Sequence, residues 1–476
     1  MSKEKKDIPL WAKTGHARPV TRRDFLAAGL IPFAASALLP SWMSLFLASP
    51  EAQAQSALNC SSGNSAWIPF ITLNLAGGAA MMSNYLPMNA AGAPIASYSK
   101  MGLGNKDVPI AREFGNVPFA GEMNGQLLSR FLDGVRATAA ASLSNTAFMG
   151  LCVRSRDDSA ENRFDVSGMA HVAGLAGSRL PNLGSNDSLS GFDQLPAVVA
   201  PPSPLVIRSF NDAANALGFS ASLGTALTQP QREKVAKLVS SLNSSQARKL
   251  ASFEGGDVLQ NLVSCAGIKN EDLIRQGSAA VDPRQNAAIA QLWNINANTG
   301  ANNRDLVFAT MVYNAVSGQS GSANLQLGGF DYHDNSRNTG NTRDREAGLL
   351  VGRILETARL LNRPVFLYVT SDGAVSSAES ETDRLAPWTS DRGSAGGSYI
   401  LVYHPAGRIV TTHYQIGSFT DGQAADDKFV IGNNPELAAQ AVFANYLQLN
   451  RRMDLFERIA GRGLDSKGLS EVIKIA

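Results

Sequence analysis

Apolar, β-rich runs alternate with amphipathic stretches along most of the chain, and this alternation limits the fold more than any other feature. A strand that is apolar on both faces has to be covered on both sides, and helices between successive strands supply the cover. Trp67–Leu75 is such a run and ends at Gly77-Gly78. Ala147–Val153, the short Leu205–Ile207, Ala323–Leu327, Pro364–Thr370 and Ser398–Tyr403 are the others. Gln126–Ala139 carries Leu127, Leu128, Phe131, Leu132 and Val135 at helical spacing, and Asp305–Val316, Arg343–Leu361 and Pro435–Leu449 also read as helices. The expectation is an α/β fold, a three-layer sandwich around a mainly parallel sheet. From about 211 to 298 the pattern turns helical, clearest in Pro230–Ser252 and Pro283–Trp293. That predicts a helical insertion packed on the sheet, within one domain spanning 55–476.

The N-terminus reads as a targeting peptide. A polar, basic stretch to Arg18 leads into Thr21-Arg22-Arg23-Asp24-Phe25-Leu26, which has the twin-arginine (Tat) pattern, with Arg22, Arg23, Phe25 and Leu26 as its recognition residues. An apolar run from Leu26 to Ala48 follows, interrupted by Pro32 and Pro40, and Ala52-Gln53-Ala54 has the small-x-small form of a cleavage site. These features predict a signal peptide over 1–54, recognition by the Tat translocase, export of the folded chain, and a periplasmic or secreted location. A retained anchor is the other reading of the same run, and the prolines and the cleavage site weigh against it. No later segment is long and apolar enough to cross a membrane, so no stable span is expected after cleavage.

Charge excludes one class of function. Residues 1–54 contribute seven of the 42 Lys/Arg and four of the 40 Asp/Glu, leaving 35 against 36, a formal −1. So balanced a body has no footprint for nucleic acid. The three cysteines, Cys60, Cys152 and Cys265, allow one disulfide in an oxidising compartment, and three pairings are open.

Chemistry in such folds gathers beyond the carboxyl ends of strands. After Leu327 comes Gly328-Gly329-Phe330-Asp331-Tyr332-His333, where a carboxylate and an imidazole two residues apart can face one cation. The bland alternative is a loop aspartate accepting backbone hydrogen bonds beside a surface histidine. Asp372, in Thr370-Ser371-Asp372-Gly373, either ligates a metal or closes a turn. Asp391-Arg392-Gly393 opens the approach to Ser398–Tyr403, and Arg392 could pair with an anionic oxygen, stay solvated, or bridge to Asp391. Asp157-Asp158, Glu161 and Asp165 ahead of His171 read as a solvated acidic loop or a second metal or substrate loop; His404 and His413 read as core or surface residues. There is no Gly-x-Ser-x-Gly elbow, Walker loop or dinucleotide fingerprint.

Together these segments resemble a large bacterial family of Tat-exported, sulfatase-like proteins of unknown function, related to the alkaline phosphatase superfamily. The likeness spans about Trp67 to Leu449. Gly328–His333 looks like the family's Gly-Gly-Trp/Phe-Asp-x-His motif, and Ser371-Asp372 is similar to its Ser-Glu-Phe-Gly-Arg segment. Asp391–Gly397 resembles its Asp-His-x-x-Gly-Gly stretch, and Gln415-Ile416-Gly417 with Thr420-Asp421 its next turn. The resemblance implies an alkaline-phosphatase-like sandwich, with Asp331, His333, Asp372 and Asp391 as ligands of a divalent metal (zinc, manganese or calcium). Ala80 stands where the family has an aspartate, and Arg392 where it has a histidine.

Two functions follow from this reading. One is a degenerate, non-catalytic binding or envelope-assembly protein, with or without a metal, in which the Arg392 guanidinium holds the acids together; its protein partner is unspecified. The other is a metal-dependent hydrolase of phosphate or sulfate esters, in which Arg392 steadies a small anionic ester.

Overall fold

The computed structural model describes residues 68–476 except 105–106, 156–165, 167–168, 171–172, 174–182, 186–204, 218–226, 251–274, 276–277 and 379–385. The signal region, Cys60, Cys265 and the acidic loop ahead of His171, with that histidine, lie outside the described residues. The strands are β1 (Phe70–Leu75), β2 (Ile110–Glu113), β3 (Val117–Ala120), β4 (Glu122–Met123), β5 (Gln126–Leu127), β6 (Thr146–Cys152) and β7 (Leu183–Ser185). They continue with β8 (Leu205–Ile207), β9 (Ala323–Leu327), β10 (Val365–Thr370), β11 (Val375–Ser377), β12 (Trp388–Asp391), β13 (Gly397–Tyr403) and β14 (Gln415–Ile416). The helices are α1 (Arg130–Ala139), α2 (Phe210–Ala216), α3 (Gln229–Leu250), α4 (Ala287–Trp293), α5 (Arg304–Ser317), α6 (Asn338–Leu360), α7 (Pro435–Leu449), α8 (Phe456–Ala460) and α9 (Ser466–Val472).

Eight strands form the central sheet, in the order β14-β6-β13-β10-β1-β9-β7-β8. Its adjacent pairs are parallel except around β13, which runs against both β10 and β6. The sheet is therefore mainly parallel, as the alternation implies, with one reversed strand. Side chains alternate across it with the period of two that a pleated strand dictates. Ile71, Leu73 and Leu75 of β1 join the core that contains Phe131, Trp293, Leu306 and Val351 from α1, α4, α5 and α6. Phe70 joins the opposite core, with Phe366, Phe443, Tyr446, Phe456 and Val472. Helices cover both faces, giving three layers.

α1 and α6 approach to backbone contact. A Cβ on Gly348 would fall 2.0 Å from the Phe131 carbonyl oxygen, and one on Gly134 would fall 2.3 Å from that of Arg345. Only glycine allows this separation, which fixes the start of α6 relative to the sheet.

Two helical readings need correction. The helix expected over Gln126–Ala139 starts at Arg130, because Ser129 Oγ accepts from the Leu132 amide at 3.2 Å and caps it; Gln126–Leu127 instead pairs with β4. Pro283–Trp293 is split into a single turn and α4, with Asn286 capping the latter through the Ile289 amide. In the predicted insertion the described elements are largely helical. α2 packs on α5 and β8, and α4 on α5 and α6, so α4 rests on the helical layer over the sheet.

Cys152 is a free, buried thiol whose pKa burial pushes well up. The two pairings that use it are thereby removed. Among the described residues no helix is long and apolar enough to cross a membrane.

Candidate metal centre

β9, β1 and β10 lie side by side and end at the same edge, and the connection from β9 through α6 to β10 passes across β1. The crevice above such a switch point is where open α/β sheets bind ligands. Pairing of β1 with β9 continues past the strands: Ala76 N–H donates to the Leu327 carbonyl at 2.9 Å, and Phe330 N–H to that of Ala76 at 3.1 Å. Gly77, at φ +114°, then presses its backbone on Asp331; a Cβ there would lie 2.6 Å from the Asp331 nitrogen. The loop after β9 is also stitched to β12, with Asn335 N–H donating to the Trp388 carbonyl at 2.9 Å and Trp388 N–H to that of Ser336 at 3.3 Å. β12 pairs with β11 so that Asp391 sits opposite Val375. Two local devices thus deliver Asp331 and His333 from one side and Asp391 from the other.

One donor atom from each of Asp331, His333 and Asp391 lies within 4.8 Å of the other two. His333 Nδ1 is 2.6 Å from Asp331 Oδ1 and 3.1 Å from Asp391 Oδ1. Nδ1 is buried, yet neither contact has hydrogen-bond alignment. Three donors thus converge at ion-pair distance without hydrogen-bond alignment, which suits a cation between them. In a tetrahedral site with ligands at about 2.0–2.1 Å, neighbouring donors stand roughly 3.3 Å apart. The His333–Asp391 separation is near that value. Asp331 must retreat, and with its side chain 61% exposed it has room to do so. Two carboxylates and an imidazole suit zinc or manganese better than calcium, which prefers all-oxygen cages. Three protein donors leave at least one coordination position open.

Asp372 belongs to a different arrangement. Its Oδ1 accepts from the Gly77 amide at 2.8 Å. Burial raises its pKa, the Gly77 and Gly78 amides pull it back, and the Asp331 charge adds to the rise. It adjoins the cluster without being one of the three donors. Next to it, Ser371 Oγ donates to the Leu75 carbonyl at 2.6 Å and accepts from the Ala79 amide at 2.8 Å, so this hydroxyl is fully engaged in closing the β1 loop.

Arg392 does not hold the acids together. Its Nε donates to Ser394 Oγ at 3.1 Å and its Nη2 to the Gly422 carbonyl at 3.0 Å. Nη1 is buried without a partner, and burial lowers the pKa of the group. The expected guanidinium–carboxylate core is replaced by the imidazole of His333 between two carboxylates. Ala80 is buried, and its amide donates to Tyr332 Oη at 2.7 Å. His404 and His413 serve local turns: His404 Nδ1 accepts from the Ala406 amide, and His413 stacks on Tyr414.

Sequence reasoning passed over Tyr332, Asp344 and Trp388, which support the site from behind. Tyr332 is buried between Phe330 and Trp388, and Asp344 is buried on α6. A legible signal existed for Asp344: it lies on the helix stripe Gly340, Asp344, Ala347, Val351, whose other members are small or apolar. Neither a family model, nor a curated protein, nor a solved structure matches this chain.

Proposed function

We propose that this is an exported protein of the sulfatase-like, alkaline-phosphatase-related kind that holds one divalent cation, zinc or manganese, at Asp331, His333 and Asp391. Its role is binding or envelope assembly, and the site is a reduced form of a two-metal hydrolytic centre. The observation that carries the metal is the convergence of the Asp331 and Asp391 carboxylates on a His333 Nδ1 that neither hydrogen-bonds. The reduction is supported by the neighbours: Ala80 offers no ligand, Asp372 is taken up by glycine amides, and Arg392 turns to Ser394 and Gly422. Among the described residues this is the one cluster of three or more potential ligands.

Elemental analysis of the mature protein, folded and exported in its native host, tests the reading. About one equivalent of metal is expected by the one-site argument, and His333→Ala should abolish it. Protein that stays metal-free after incubation with zinc, manganese and calcium would sink the proposal. Ester hydrolysis is a second reading, favoured by the unpartnered Nη1 of Arg392, next in the chain to the ligand Asp391. A screen of phosphate and sulfate esters with metal-loaded protein decides it, and absence of turnover leaves the binding role.

A further inference from the structure

The burial pattern around the first two ligands is the starting point. Asp331 and His333 are open, whereas Tyr332 between them is buried, so the ligands project on one side of the chain and the tyrosine on the other. Tyr332 Oη accepts from the Ala80 amide at 2.7 Å and donates to Asp344 Oδ1 at 2.8 Å. Asp344 Oδ2 accepts from Asn84 Nδ2 at 3.0 Å, and Asn84 Oδ1 accepts from the Phe131 amide at 3.2 Å at the start of α1. The tyrosine ring packs on Trp388, centroids 5.9 Å apart, and Trp388 heads the strand that carries Asp391. One side chain therefore touches the β1 loop, α6 and β12 while being covalently placed between two ligands.

We infer that Tyr332, Asp344 and Asn84 are positioning residues of the metal centre, setting the angle at which Asp331 and His333 meet Asp391. The inference rests on the metal reading above. A loop beyond a strand otherwise samples many conformations, and orienting groups behind the ligands are where metal sites gain affinity. The network is also directional. The Ala80 amide can only donate, so Tyr332 Oη accepts from it and turns its own proton to residue 344. Asn84 Oδ1 accepts from the Phe131 amide, so its own amide turns to residue 344, which must offer an acceptor to each. Asparagine at 344 keeps one acceptor, so one bond is lost: its amide turned toward Asn84 sets two donors against each other, and turned toward the tyrosine it leaves the hydroxyl proton without its acceptor. Exchanging the pair, as Asn84→Asp with Asp344→Asn, restores it: the new carboxylate accepts from the new amide and still accepts from the Phe131 amide.

The experiment is zinc affinity by chelator competition at 20 °C, well below unfolding, with melting temperatures measured in parallel. Tyr332→Phe, which keeps the ring and removes the hydroxyl, should weaken zinc binding roughly 10-fold or more. Asp344→Asn should do the same, and the Asn84→Asp/Asp344→Asn exchange should recover most of the loss. Because affinity is read on fully folded protein, a loss of stability alone would leave it unchanged in all of these variants. Wild-type protein that takes up no zinc sinks the metal reading and this inference together. Zinc affinity unchanged by Tyr332→Phe and Asp344→Asn, or an exchange variant no better than Asp344→Asn, overturns this inference alone.

Discussion

The exits of β9 and β10 flank that of β1, and each supplies an aspartate near its end, but the two carboxylates have opposite surroundings. Past β9, the chain turns Asp331 outward beside His333, and the Phe330 and Asn335 amides nearby are already paired with carbonyls. Past β10, Asp372 meets the free amides of a loop with two consecutive positive-φ glycines and is drawn onto them. The difference teaches that a strand-end acid is available to a cation only where the surrounding backbone has no unmet donors. Both exits offer an aspartate within four residues of the strand end; the neighbouring loop decides.

Breaking that contrast should have unequal effects. The largest follows His333→Ala, which should reduce metal content to background while leaving the melting temperature of the metal-free protein nearly unchanged, checked by elemental analysis and calorimetry. Next comes Asp344, behind the β9 exit. Burial pushes its carboxyl up to about 6, against the pull of Asn84, Tyr332, Arg337 and Ser83. The unfolded carboxyl ionises near 3.8, so between these values the folded state keeps a proton the unfolded state has lost. Stability from this group is therefore greatest below about pH 4 and falls as pH rises through about 6, by on the order of 3 kcal/mol in all. Urea midpoints at pH 4 and 7.5 should show that decline in the wild type and a smaller one in Asp344→Asn.

A smaller effect sharpens the β10 side. Asp372→Asn should lower stability by about 1–3 kcal/mol, because its new amide faces a backbone donor, and should leave zinc affinity within about twofold, well short of the 10- to 100-fold loss typical when a supporting group is removed. If Asp372→Asn instead strips the metal, the two exits do not differ as described. Smallest of all, Arg392→Gln should change stability by about 1 kcal/mol or less and not alter metal content, since the guanidinium joins no carboxylate among the described residues.

Elements with strong local patterns were legible. Ala323–Leu327, Leu205–Ile207 and Pro435–Leu449 have the boundaries their composition implies, the last because Asn434 caps and Pro435 starts the helix. The direction of Ser398–Tyr403 was not legible, because an all-apolar run buried on both faces reads the same in a parallel or antiparallel partner. The small hairpins β2–β3 and β11–β12 were also missed: Ile110–Glu113 and Trp388–Asp391 are too short and too mixed to show a period. At the site, Asp331 and His333 could be found from the end of their strand, and Asp391 from its place ahead of Ser398–Tyr403. The separate role of Asp372 could not, because it depends on amides contributed from Gly77 and Gly78, almost three hundred positions earlier.

The reversed strand has a consequence for the order in which the molecule is assembled. β13 pairs Gly397 with Cys152 and Tyr403 with Thr146, so its place in the sheet is closed by contacts of very long sequence separation. Loop-closure entropy makes such pairings late and slow. Asp331 and His333 emerge from β9, whereas Asp391 arrives on the segment that leads into β13. The third donor therefore arrives on a segment that leads directly into a register of very long sequence separation. If the triad takes up a cation, it does so only once both of these segments are in place, late in folding rather than early.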